Sequence, residues 1–200
     1  MTIPTPDNLK KISKSLATLD AIIMQEWELR YYSHNSHWAP TEEMSSMRNG
    51  SGDHYFVWFT PNGSVGKGFC KGTAISKERA YEGIPEAFVR SFLEEPAFLS
   101  SEVSFAFWSL EQTTEWAVRP RDALQREGCP DQLLGVVMGG PESYQKWAKD
   151  YYERDIPITA VLAVFRHAPV DETLLAQLNP GADRAQLAAD LAEIGYPSVL

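Results

Sequence analysis

Between Arg48 and His54 the chain concentrates groups that can do chemistry: Arg48, Asn49, Ser51, Asp53 and His54, with Gly50 and Gly52 between them. Arg48 brings a planar fork of N–H donors suited to a carboxylate or a phosphate. A serine, an acid and a histidine in one polar run are the side-chain types a hydrolase uses, although triad members normally converge from separate elements. The competing reading is a satisfied turn, with Asp53 capping an amide and the glycines serving the backbone. Trp38, a short way upstream, adds an aromatic binding group. His34 and His37, with Asp53 and His54, could offer nitrogen and oxygen ligands to a divalent metal if the loop folds back over them. Histidines spaced this way at a helix exit more often sit on the surface, so neither a metal nor any other cofactor is expected.

Other chemistry-bearing patterns are weaker. Gly63-Ser64-Val65-Gly66-Lys67-Gly68 has a phosphate-loop flavour, but the glycine spacing is too short and no Ser or Thr follows the lysine. It reads as a turn with an exposed, mobile Lys67. The doublets Glu42-Glu43 and Glu94-Glu95 diverge on any regular backbone and read as solvated. Trp147, Tyr151 and Tyr152, with Trp27, Tyr31, Tyr32 and Trp38, could build a recognition surface, since Trp and Tyr are favoured interface anchors.

These groups need a scaffold. Leu9, Ile12, Leu16, Leu19 and Ile23 recur at helical steps, predicting an amphipathic helix from about Pro6 to Tyr32, with Lys10, Lys11, Lys14 and Asp20 on its wet face. Ser33 to Asp53 reads as a polar loop. His54–Thr60, apolar on both faces, predicts a strand inside a sheet, and Pro61-Asn62-Gly63 a turn into a second strand from about Ser64 to Cys70. A short helix over Pro85–Leu93, a strand over Val103–Trp108 and a connection from Pro120 to Pro130 follow. A helical pair is predicted next, Asp131–Met138 and then from Pro141. Ile158–Phe165, almost wholly aliphatic, predicts a buried strand. Two closing helices, Asp171–Leu178 and Asp183–Ile194, end at Gly195. The irregular element order predicts one α+β domain over residues 1–200, with a mostly antiparallel sheet of about four strands flanked by helices.

Composition narrows the partners. The chain has 200 residues, a net charge of −9, and six Trp, eight Tyr and nine Phe. That charge argues against nucleic acid and favours a basic protein surface or a second copy of the chain as partner. With two cysteines, Cys70 and Cys129, no disulfide framework is expected. The N-terminus lacks a signal-peptide pattern and no run is long enough to span a bilayer, so a soluble, cytoplasmic protein without membrane contact is expected.

The run Gly83-Ile84-Pro85-Glu86-Ala87-Phe88-Val89-Arg90-Ser91-Phe92-Leu93 resembles the Leu-Pro-x-x-Tyr-x-x-Phe-Leu segment of the SMI1/KNR4 superfamily, whose bacterial members are often immunity proteins against toxins. The resemblance covers these residues only, and Glu94-Glu95-Pro96 stands where that segment usually continues with Asn-Gly. It implies an acidic α+β interaction protein of bacterial type. The first functional expectation is accordingly a non-enzymatic interaction or regulatory, immunity-like factor with an acidic, aromatic-rich surface. The alternative is a hydrolase or metal-dependent enzyme centred on Arg48–His54.

Overall fold

The structure is a computed structural model describing residues 2–111, 113–125 and 128–200. Six strands form one antiparallel meander in the order β1 to β6: Tyr32–Ala39, Glu42–Arg48, His54–Thr60, Gly63–Phe69, Phe105–Leu110 and Ala117–Arg119. Helix α1 (Pro6–Ile23) precedes the sheet. Short helices α2 (Lys77–Ala80) and α3 (Glu86–Phe88), the latter running into a π-helical turn at Val89–Leu93, lie between β4 and β5. Helices α4 (Cys129–Tyr152), α5 (Ile158–Phe165), α6 (Glu172–Leu178) and α7 (Arg184–Ile194) complete the chain.

The alternating strand β3 explains the layering. Tyr55, Val57 and Phe59 enter a large core shared with α1, α4, α5, α6 and α7, while Phe56 and Trp58 enter a second core with Tyr81, Phe88, Phe92, Phe98 and Val103. A strand buried on both faces needs cover on both sides, and the segment between β4 and β5 supplies the second cover. Gly66 and Gly68 of β4 sit beneath the Phe107 and Phe105 rings of β5, which occupy the space a Cβ would need. The glycine-rich run is therefore a packing device for two rings.

Several sequence expectations are corrected. The α+β architecture with an antiparallel sheet stands, but the sheet has six strands. Ser33–Asp53 is largely a hairpin, β1 and β2, whose polar residues bond across strands: Ser33 Oγ meets Ser46 Oγ at 2.7 Å and Trp58 Nε1 donates to Glu42 at 3.1 Å. Little apolar alternation marks such a hairpin in the sequence. Helix α1 stops at Ile23, where Met24 turns extended and side chains take the carbonyls at and just past the end: Asn179 donates to Ile22 O, Arg154 to Ile23 O and Arg30 to Met24 O. Ile158–Phe165 is helical. An apolar run this short carries no periodicity that separates a buried strand from a buried helix, and here Ala160, Val161 and Val164 pack into the large core.

The helical pair does form, as α4 bent at Gly140, whose φ of 73° no other residue adopts easily, directly before Pro141. The connection expected over Pro120–Pro130 contains positions 126 and 127, which lie outside the described residues. Cys70 and Cys129 are joined by a disulfide across a Cα–Cα distance of 5.7 Å, tying the end of β4 to the start of α4. The pairing stands against the expectation, drawn from so few cysteines, of a chain without a disulfide framework. Among the described residues no helix is long and apolar enough to cross a membrane.

Candidate functional site

Asp20 organises one end of the sheet. Placed by sequence on the wet face of α1, it is instead fully buried. Its carboxylate accepts the backbone N–H of Tyr31 at 3.0 Å, that of Tyr32 at 2.8 Å and the hydroxyl of Tyr144 at 2.7 Å. One carboxylate thereby joins α1, the entry to β1 and α4. Burial pushes its pKa up to about 6, against the hydrogen bonds that favour its charged form.

From this anchor a pile of rings climbs to the surface. Tyr32 and Tyr144 are buried, Trp147 lies 5.2 Å from Tyr32 and 4.6 Å from Tyr31, and Tyr151 stacks on Trp147 at 5.1 Å. The pile forms one wall of a pocket of about 280 Å³, lined by Trp27, Glu28, Leu29, Arg30, Tyr31, Ser33, Ser46, Arg48, Gly50 and Tyr151. Trp27 and Leu29 come from a 3-10 turn between α1 and β1, and Ser33, Ser46 and Arg48 from β1 and β2. Trp27, Leu29 and Tyr151 are exposed by 57%, 48% and 43%. The other large exposed apolar residues among those described, Leu99, Leu110, Val199 and Leu200, line no part of this pocket.

Arg48 lies over two rings, 5.9 Å from the centroid of Trp27 and 5.4 Å from that of Phe56. Its guanidinium has no hydrogen-bond or ion-pair partner among the described residues, whereas Arg30 beside it is committed to Met24 O, Gln25 O and Asp190. Ring faces support the flat of a guanidinium and leave its N–H edge available.

The remaining residues singled out in the sequence are scattered. Asn49 Oδ1 accepts Ser51 N and Asp53 N, and Asn49 Nδ2 donates to Asp53 Oδ2. Asp53 also accepts Lys71 N and Gln132 Nε2. This is the satisfied-turn reading, and it fixes the loop that carries Arg48 and Gly50. His54 Nδ1 donates to Gly52 O at 3.1 Å, which leaves Nε2 as an acceptor 2.7 Å from Lys67 Nζ. Neither ring nitrogen meets Ser51 or Asp53, so no hydrogen-bonded relay links the three.

Lys67 is not exposed but fully buried, donating to His54, Leu99 O at 3.0 Å and Glu102 O at 2.6 Å. Burial pushes its pKa down to about 7, with Glu102 opposing. The hairpin register, which sets Lys67 beside the inward Phe56, is the signal that could have placed it. His34 is buried between Ser45 and Glu43, while His37 meets Ser36. Burial lowers the pKa of His34. Although burial of Glu43 opposes it, bonds from His34 and Lys14 hold the Glu43 carboxyl well below the usual range, so Glu43 is not a solvated carboxylate. Among the described residues no three His, Cys, Asp or Glu side chains are grouped to hold a metal ion. Trp38 sits at the opposite end of the β1–β2 hairpin, 5.7 Å from Phe98, in a shallow cleft with Glu42, Arg90, Glu94 and Glu95. Of the sequence candidates, Arg48 joins Trp27, Tyr31 and Tyr151 in the pocket, and Trp38, His34 and His37 do not.

No protein-family model, no curated protein and no solved structure matches this chain. The resemblance of Gly83–Leu93 to the SMI1/KNR4 segment therefore rests on those residues alone, in α3 and the π turn under the second core.

Proposed function

We propose that the protein is a non-enzymatic interaction or regulatory factor, immunity-like in kind, and that it docks a protein partner at the Trp27–Arg48–Tyr151 pocket. The observation carrying this reading is that Trp27, Leu29 and Tyr151, all exposed, line one pocket with Arg48, whose guanidinium has no partner among the described residues. Scattered exposed apolar residues are ordinary, whereas a cluster of aromatics with an arginine has the composition of an interface centre. A net charge of −9 favours a partner with a basic surface, or one that presents little charge. A second copy of the chain is the other occupant to test.

Trp27→Ser with Tyr151→Ser removes two exposed rings that belong to neither core, although Tyr151 stacks on Trp147. Crosslinked complexes recovered with the intact protein should disappear with the double variant, while its melting temperature stays within a few degrees of the parent. Sedimentation of the parent alone decides whether the lost complex was the protein's own dimer. An unchanged set of complexes would remove the pocket as the docking site.

A further inference from the structure

Resting on that docking reading, we infer that the pocket reads a single carboxylate on the partner chain, held by Arg48 and the Ser33–Ser46 hydroxyl pair beside an apolar side chain seated against Trp27, Leu29 and Tyr151. Three features of the pocket carry this.

The first is donor supply. Arg48 presents a fork of N–H groups whose plane is supported by Trp27 and Phe56 and whose edge meets no acceptor among the described residues. Ser33 and Ser46, 2.7 Å apart, share one hydroxyl hydrogen in their mutual bond. The other hydroxyl hydrogen has no acceptor among the described residues, and both serines line the pocket. Either serine can be the donor of that bond, so the pair as a whole keeps one hydroxyl hydrogen to offer to whatever enters the pocket. Ser46 and Arg48 are two residues apart on β2 and so share a face of the sheet, which lets fork and hydroxyl serve the same carboxylate.

The second is charge. Arg30, the other cation on the pocket wall, is already neutralised by Asp190 at 2.6 Å, and Glu28 lines the same pocket. One uncommitted positive charge beside one negative charge, on a protein of net −9, fits a singly charged anion. A phosphate dianion would meet Glu28 and the overall field with no second cation to hold it.

The third is shape. The apolar residues and the donors line one pocket of about 280 Å³. The ligand must therefore carry both characters on adjacent groups, as an extended peptide does with a carboxylate beside an aliphatic or aromatic side chain.

The test uses the full chain, labelled with ¹⁵N, and two matched probes, acetyl-Gly-Leu-Glu-Gly-amide and its Gln counterpart. The Trp27 Nε1–H and Arg48 Nε–H resonances report binding. The Glu peptide should shift both and bind at least about tenfold tighter than the Gln peptide, the usual size of a charge-assisted hydrogen-bond contribution. R48Q should collapse that ratio to about one while leaving the amide spectrum dispersed, and R48K, which keeps charge but loses the fork, should recover only part of it. Equal affinity of the two peptides for the parent protein overturns the carboxylate inference and leaves the docking reading standing. Silence of Trp27 to both peptides also overturns it; docking then survives only if W27S/Y151S still loses the partner.

Discussion

Asp20→Asn isolates the free energy stored in the buried carboxylate that holds the pocket wall. The Asp20 pKa is pushed from 3.8 to about 6 in the fold, a rise of roughly two units, and each unit corresponds to 1.36 kcal/mol between protonation states. The sign follows from proton counting. Between pH 4 and pH 6 the folded protein keeps the proton that the unfolded chain has released, so its stability falls as pH rises through this window. The stabilising contribution of the protonated acid is fully present below 3.8 and is lost above 6. Asparagine is close in shape, can still accept from Tyr31 and Tyr32, and does not titrate. The difference in unfolding free energy, parent minus D20N, should therefore drop by about 3 kcal/mol between pH 3.5 and pH 6.5. Urea titrations followed by tryptophan fluorescence at half-unit pH steps measure it, other titrating groups cancelling between the two proteins to first order. A difference that is flat, or that rises with pH, would refute the reasoning, for it would mean that the bonds from Tyr31, Tyr32 and Tyr144 outweigh burial.

Three further outcomes are expected. Lys67→Met should remove a stability gain that the parent shows as pH rises from 7 towards 10, because the unfolded chain holds the lysine proton there and the folded protein, with its pKa near 7, does not; denaturation midpoints of both proteins across that range check it. Gly66→Ala forces a Cβ into the Phe107 ring inside the large core and should cost about 1–3 kcal/mol by thermal or urea unfolding. Replacing Cys70 and Cys129 by serine opens a link spanning 59 residues and should lower stability by about 4 kcal/mol on loop entropy, with the same loss on reduction of the parent.

Much of the scaffold was legible where periodicity was strong. The apolar stripe of α1, the two-faced β3, the Asn-Gly turn into β4 and the capped closing helices all stand in the structure. The hairpin β1–β2 was not legible, because its side chains satisfy one another with hydroxyls, a carboxylate and an imidazole rather than through an apolar face. Ile158–Phe165 was misread because eight aliphatic residues satisfy either period.

The site divides the same way. Residue types alone pointed to Arg48 and the Trp–Tyr set, and put Asn49, Ser51 and Asp53 forward as binding groups with a self-satisfied turn as the competing reading; the bonds among Asn49, Ser51 and Asp53 follow the competing one. That Trp27, Tyr31 and Tyr151 share a pocket with Arg48 while Trp38 does not, that Cys70 reaches Cys129, and that Asp20 and Lys67 are buried were decided only by tertiary structure. Each depends on which elements the sheet register and helix packing bring together across long sequence separations, and no local pattern encodes that choice.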